Sequence, residues 1–111
     1  PDAGSYRYEE IAPNGIKRED WLRQQPANRY TLQIGSVTSE NDLVNYLKSN
    51  GLEDNAAYIQ VVIDGVTRSN ALYGLYDSYE EAERAETDLP PAVRRVSPWI
   101  RNVGILQNMI N

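Results

Sequence analysis

The chain has 111 residues, of which 41% are hydrophobic and 24% are charged, and its formal net charge is −5. This length and composition predict one folded domain with one core and a tail. Because the chain contains no cysteine and no histidine, disulfides, thiol nucleophiles, histidine general bases and the usual structural zinc sites are excluded.

Charge is distributed unevenly along the chain. The net negative charge argues against binding to the phosphate backbone of nucleic acids, since such binding requires clustered Lys and Arg. Residues 90–111 nevertheless carry three arginines, Arg94, Arg95 and Arg101, and no acidic residue. No apolar run reaches the roughly 20 residues of a membrane-spanning helix. We therefore expect a soluble chain, with any export signal or membrane anchor ahead of Pro1.

The first elements in chain order are a linker and a short anchor. Residues 1–15 are rich in Pro, Gly, Ser, Asp and Glu and show no apolar period, which is typical of a flexible linker. Residues 16–28 contain one apolar cluster, Trp21 and Leu22, and we expect one or two helical turns there with Trp21 as the anchor. The remaining residues, 29–111, form the predicted domain.

The period of residues 29–37 predicts the first strand of this domain. Leu32 and Ile34 alternate with Thr31 and Gln33, as expected for a strand with one buried face. We therefore expect the two polar residues to point away from the core.

A helix and a hairpin follow the first strand. Apolar residues share one stripe over about 40–50, which predicts the first helix. Residues 57–63 are rich in β-branched side chains and lead into Asp64-Gly65, a pair that favours a two-residue type I′ turn. The turn predicts a third strand over about 66–75, although its residues have low strand propensity.

The last third of the chain predicts a second helix and a fourth strand. Ser78 and Glu81 form a capping box that begins the helix, and Pro90-Pro91 is expected to end it. Residues 97–103 are a short strand candidate. Residues 104–109 either continue this strand or form a brief helix.

The order of these elements predicts the fold class. It is α+β with a βαββαβ (split βαβ, ferredoxin-like) order, in which two helices cover one face of a four-stranded antiparallel sheet. The other face is expected to be open and to provide a binding platform. This fold hosts many functions, so the function must be argued from particular residues.

Four short stretches of the chain carry a likeness to a known family. They are Tyr30-Thr-Leu-Gln-Ile-Gly-Ser36, Gly74-Leu-Tyr-Asp-Ser-Tyr-Glu-Glu-Ala82, Leu89-Pro90, and Pro98-Trp-Ile-Arg101 followed by Ile105-Leu-Gln107. In this order they resemble the SPOR (sporulation-related repeat) domains of bacterial envelope and division proteins. The likeness covers about residues 30–107 and is closest to the DamX-like subgroup.

The resemblance implies a non-catalytic module that binds peptidoglycan, in particular glycan strands without stem peptides, at the open face of the sheet. The family's site positions fall here on Gln33, Ser36 and Trp99. Near the position of Arg68, the DamX-like subgroup usually has an aromatic residue. One stacking surface expected from the resemblance is therefore missing here, and the guanidinium plane of Arg68 is expected to replace it in part.

The resemblance also implies a location and partners for the parent protein. It implies the periplasm, with this chain as the C-terminal domain of a membrane-anchored or exported bacterial protein. The module would direct that protein to the cell wall and the division septum, where other division or envelope proteins are further partners.

The chemistry of sugar recognition can be judged from the residues themselves. Aromatic rings cover the apolar faces of sugars, while amides and hydroxyls bond to their substituents. If Thr31 and Gln33 lie on the open face, Tyr58 and Gln60 of the second strand join them by alternation. Taken singly, the two glutamines are also compatible with ordinary solvated strand residues, and Trp99 with a core or lid residue.

The candidate ligand-binding residues from both lines of reasoning are Gln33, Ser36, Trp99, Thr31, Tyr58, Gln60, Arg68 and Arg101. No catalytic residue, metal ligand or cofactor is predicted.

Two other functions remain open at this point. One is an accessory domain of a peptidoglycan-active enzyme, whose chemistry would need two positioned carboxylates; the acidic residues here fall on predicted helix surfaces and turns. The other is an RRM-like binder of single-stranded RNA, which shares the element order and the open sheet. That class needs aromatics on its central strands, whereas this chain has no Phe and a net negative charge. We therefore expect no nucleic-acid partner.

Overall fold

A computed structural model describes residues 15–95 and 97–110 of the protein. Its elements are α1 (Glu19–Arg23), β1 (Tyr30–Val37), α2 (Glu40–Ser49), a 3₁₀ turn (Glu53–Asn55), β2 (Ala56–Ile63), β3 (Val66–Tyr76), α3 (Tyr79–Glu86), α4 (Pro91–Arg94), β4 (Trp99–Asn102) and α5 (Val103–Ile110). The α+β class is confirmed. The linker predicted over residues 1–15 lies outside the described residues except for Gly15. Within the described ranges, no helix is long and apolar enough to cross a bilayer.

The four strands form one antiparallel sheet in the order β2-β3-β1-β4. Its central strands are therefore β1 and β3. Strand β4 pairs with only the first half of β1, from Tyr30 opposite Asn102 to Gln33 opposite Trp99. Among the described residues, no strand pairs with residues 34–37 of β1 on that side, whereas residues 35–37 stay paired with β3 on the other.

The predicted hairpin between β2 and β3 is confirmed. Asp64 and Gly65 have φ angles of 52° and 80°, and a type I′ turn requires positive φ at both central positions. Strand β3 forms despite its low propensity because it is paired on both sides, and Ser69 and Asn70 are buried within it. Tertiary pairing here outweighs the local preference.

The main core lies between the first face of the sheet and the helices α2, α3 and α4. Its buried residues include Leu32, Ile34, Leu43, Val44, Leu47, Tyr58, Ala71, Ala82, Leu89 and Val93. Leu32 and Ile34 thus face the helices, as the alternation in β1 predicts.

The two long helices on this face begin at the predicted caps. The hydroxyl oxygen of Ser39 accepts from the Asp42 amide at 3.2 Å, and that of Ser78 accepts from the Glu81 amide at 3.1 Å. The end of α3 differs from the prediction, because the helix stops at Glu86. Pro91 instead begins α4, at a position where a missing N–H costs nothing.

The second face of the sheet is partly covered, so the expectation of an open face is wrong for this part. Helices α1 and α5 pack there around a smaller apolar cluster, which we call the second cluster. Its buried residues are Leu22, Ile59, Val61, Leu72, Val103 and Leu106. Leu22 is the buried residue of α1, whereas Trp21 is half-buried at the margin of the cluster. Trp21 therefore packs on the domain as expected, but Leu22 is the more deeply buried anchor.

The residues after β4 form helix α5. Residues 104–109 therefore form a helix and do not continue the strand. The side-chain oxygen of Asn102 accepts from the Ile105 amide at 3.0 Å, a bond of the N-cap type. The side-chain amide of Gln107 donates to the carbonyl oxygens of Leu22 at 3.0 Å and Gln25 at 2.7 Å. These bonds join α5 to the end of α1.

Burial in the second cluster predicts a large difference between two neighbouring residues of α5. Leu106 is 0% exposed and Ile105 is 57% exposed. We expect Leu106→Ala to lower the free energy of unfolding by about 2–5 kcal/mol, because it removes a buried side chain and leaves a cavity. Ile105→Ala should change it by no more than about 0.5 kcal/mol. Urea denaturation measures both, and equal losses would contradict the packing of α5.

Candidate functional site

Five of the predicted site residues lie together on the uncovered part of the second face. They are Gln33, Ser36, Arg68, Trp99 and Arg101, which we call the polar strip. Cross-strand pairing places them there: Gln33 is opposite Trp99 on β4, and Ser36 is opposite Asn70 on β3. The strip thus crosses β3, β1 and β4 beside helix α5.

Arg101 is the centre of one half of the strip. Its Nη1 donates to Oε1 of Gln33 at 2.7 Å, and its guanidinium carbon lies 4.0 Å from the ring centroid of Trp99, a cation–π distance. Its Nη2 contacts the sulfur of Met109 on α5 at 3.4 Å. Burial lowers the pKa of Arg101 from its ordinary value. Gln33, Trp99 and Arg101 therefore form one positioned unit.

Trp99 is a surface residue rather than a core residue. Its side chain is 59% exposed, and the guanidinium of Arg101 holds it from one side. An exposed and positioned indole can cover the apolar face of a ligand ring at a low entropic cost.

Ser36 and Arg68 form the other half of the strip. Arg68 donates from Nε to the hydroxyl oxygen of Ser36 at 3.0 Å and from Nη2 to its carbonyl oxygen at 2.8 Å. This two-pronged contact fixes the last residues of β1 against β3. Arg68 is half-buried, and the role of its plane as a stacking surface stays a prediction.

Thr31 shares the face of Gln33 but does not reach the surface, which corrects its place in the candidate site. It is fully buried, and its hydroxyl donates to the carbonyl oxygen of Gly74 at 2.7 Å. Alternation correctly predicts its face, but it does not show that the neighbouring backbone uses the hydroxyl.

Tyr58 lies on the opposite face from the one expected. It is buried in the main core, its hydroxyl bonds to the carboxylate of Glu40, and the guanidinium of Arg18 lies 4.4 Å from its ring centroid. Residues Ile59 and Val61 point to the second cluster instead. Because β2 is apolar on both faces, its alternation does not reveal which face meets which helices.

Like Tyr58, Gln60 lies on the face opposite to the expected one, and it is near the outer edge of the sheet. Its amide N–H donates to Glu19 at 2.8 Å, and its side chain donates to Ser69 at 3.4 Å. Lys17 forms a parallel bridge with Ala57 along the same edge. The segment ahead of β1 therefore protects the edge of β2. Gln60 is separated from the polar strip because it lies on the other face of the sheet.

A cleft of about 490 Å³ adjoins the strip where β4 begins. It runs along the unpaired edge of β1, between α2 and Trp99. It is lined by Gln33, Ile34, Gly35, Ser36, Val37, Asp42, Leu43, Tyr46, Ser97 and Trp99. Gln33, Ser36 and Trp99 thus belong to both the strip and the cleft.

Two residues of α2 add polar groups to the cleft that sequence reasoning missed. Asp42 contributes a carboxylate. The hydroxyl of Tyr46 is buried without a hydrogen-bond partner among the described residues, and burial raises the pKa of Tyr46. Their spacing of four residues places them on one helix face, which is the one signal that the sequence holds. The cleft thus combines an apolar wall with a few polar groups, as small-ligand sites do.

The contact of Arg101 with Trp99 predicts a measurable change in the accessibility of the indole. In a Trp21→Phe background, Trp99 is the one remaining tryptophan. Arg101→Ala should then increase quenching of its fluorescence by acrylamide, by at most about twofold, since one side of the ring is released. Arg84→Ala, which removes an exposed arginine of α3, is the matched control. Identical quenching of all three proteins would contradict the stacked arrangement.

Comparison with known families agrees with the fold. The SPOR domain family model matches residues 26–102, more than half of the chain. This range contains all four strands and every residue of the polar strip. The match is to the family as a whole, and the DamX-like subgroup stays a prediction. SPOR domains are binding domains of bacterial envelope proteins. The chain therefore belongs to the SPOR domain family, whose members bind peptidoglycan.

Proposed function

We propose that this chain binds peptidoglycan glycan strands that lack stem peptides, without catalysing a reaction, and so directs its parent protein to the cell wall and the division septum. The observation that supports this most is the position of Gln33, Ser36 and Trp99 at the junction of the polar strip and the cleft. These are the three residues to which the family resemblance assigns the ligand.

The residues at this junction have complementary tasks toward a sugar. The indole of Trp99 covers the apolar face of a ring. The side-chain oxygen of Gln33 is occupied by Arg101, so its amide nitrogen is the group that donates to a ring substituent. Stacking and hydrogen bonding then act on the same part of the glycan.

The shape of the cleft favours a linear polymer. Residues 34–37 of β1 leave backbone groups on their unpaired side, and these groups follow one another along the wall of the cleft. A bare chain of sugar rings can lie along this edge, between α2 and Trp99. A peptide on every second sugar would add bulk that a bare strand lacks.

The location of the parent protein follows from the location of its ligand. Peptidoglycan surrounds the cytoplasmic membrane, so the module acts in the periplasm, as part of an exported or membrane-anchored protein. Division and envelope proteins at the septum are its expected neighbours. The cleft and the strip supply the contact with the wall itself.

We expect Trp99→Ala to weaken binding by about 1–3 kcal/mol if the indole is a central anchor. Gln33→Ala should cost about 0.5–1.5 kcal/mol, the usual net value of a hydrogen bond. Because both residues contact Arg101, the double variant should depart from additivity. Binding to purified sacculi is measured before and after an amidase removes the stem peptides, and stripping should strengthen it.

Tyr79→Ala is the matched control for Trp99→Ala. Tyr79 is an exposed aromatic of α3 on the other side of the sheet, with 49% exposure, and its loss should leave sacculus binding unchanged. Thermal melting verifies that each variant is folded. Normal binding by folded Trp99→Ala, or no gain after stripping, would refute the proposed site. Preferential capture of mixed RNA over sacculi would favour the RRM-like alternative instead.

A further inference from the structure

Two arginines of the polar strip have only neutral partners among the described residues. Arg101 contacts the amide oxygen of Gln33, the sulfur of Met109 and the ring of Trp99. Arg68 contacts two oxygens of Ser36. The ion pairs formed by described residues lie elsewhere, and they are Arg18 with Glu19 and Glu40, Arg23 with Asp20, and Arg29 with Asp77.

Of these two arginines, Arg101 is the one left with a poor acceptor. The fork of Arg68 already faces two oxygens of Ser36, whereas Nη2 of Arg101 faces the thioether of Met109, and thioether sulfur is a weak acceptor. Partial burial lowers the pKa of Arg101, because burial disfavours the charged form. A ligand oxygen with negative charge would be a much better partner for Nη2.

The ligand assigned above carries such a group. In peptidoglycan, alternate sugars bear a lactyl substituent whose carboxyl group is joined to the stem peptide as an amide. Hydrolysis of this amide leaves a free carboxylate on the sugar. A strand without stem peptides is therefore a polyanion at neutral pH, while the amide of a peptide-bearing sugar is neutral.

We propose that Arg101 recognises the lactyl carboxylate exposed when a stem peptide is removed, and that this carboxylate replaces the sulfur of Met109 as the acceptor of Nη2. The inference rests on the proposed function and names the group that distinguishes a bare strand. Oε1 of Gln33 accepts a hydrogen bond from Nη1 of Arg101 at 2.7 Å, and the guanidinium carbon of Arg101 lies 4.0 Å from the ring centroid of Trp99. A sugar would lie on the face of this indole that Arg101 leaves free, and its lactyl group would extend past the edge of the ring toward Nη2.

The test compares two forms of one ligand. Soluble glycan strands are prepared from sacculi with an amidase, and part of them is treated so that each carboxyl group is reduced to an alcohol. For the wild-type domain, reduction should weaken binding by about tenfold or more, the usual effect of losing a hydrogen bond to a charged group. Arg101→Gln should weaken binding of the untreated strands equally and show no further loss on the reduced strands.

Two further variants serve as controls. Arg84→Gln, on the exposed surface of α3, should retain both the affinity and the sensitivity to reduction. Met109→Leu keeps an apolar side chain but removes the sulfur, and it should bind untreated strands at least as well as the wild type.

The outcomes separate this inference from the proposed function. If the wild type binds reduced and untreated strands equally, carboxylate recognition is refuted and glycan binding stands. If it binds neither form, both proposals fail. A tenfold loss in Met109→Leu would show that the sulfur is not displaced, and would overturn the assignment of Nη2. The comparison of ligands on the wild-type domain needs no variant to fold.

Discussion

The apolar cluster that joins Leu22 to Val103 and Leu106 decides how much of the second face can bind a ligand. Each of these side chains is fully buried, and burial of a residue of this size contributes roughly 1.5–3 kcal/mol. The cluster holds α1 and α5 against β2 and β3, so these helices cover part of this face. Both helices lie outside the range 26–102 that the family model matches. On this face they leave the polar strip exposed next to the cleft.

Covering this part of the sheet also changes the chemistry of what remains. Met109 of α5 lies against Arg101, and burial lowers the pKa of that arginine. The short pairing between β4 and β1 ends at Gln33, so the cleft opens beside the same residue. Aromatic, amide and cationic groups thus meet where the strand edge becomes free. In the proposed function, Trp99 would contact the rings of the polymer, and Gln33 and Arg101 would bind its substituents.

Local sequence signals predict much of the fold, but only part of the site. The caps at Ser39 and Ser78 and the turn at Asp64-Gly65 depend on neighbours along the chain, so they can be predicted from the sequence. The face of Tyr58 depends on Arg18 and Glu40, which are distant in sequence and become its partners only in the folded state. The packing of α5 over the second face likewise depends on contacts between residues that are distant in sequence. The resemblance places Gln33, Ser36 and Trp99 correctly on one surface, because these positions belong to the shared sheet.

The central claim is that one continuous surface, the polar strip with its adjoining cleft, binds the glycan. Titration of the ¹⁵N-labelled domain with amidase-derived glycan strands tests it most directly by nuclear magnetic resonance. We expect the largest shifts on the amides of residues 33–37 and 99–101 and on the indole N–H of Trp99, while the signals of α3 and of the tip of the β2-β3 hairpin stay unchanged. Shifts concentrated on α3, on the hairpin tip or on α1, with the signals of Trp99 unmoved, would contradict it.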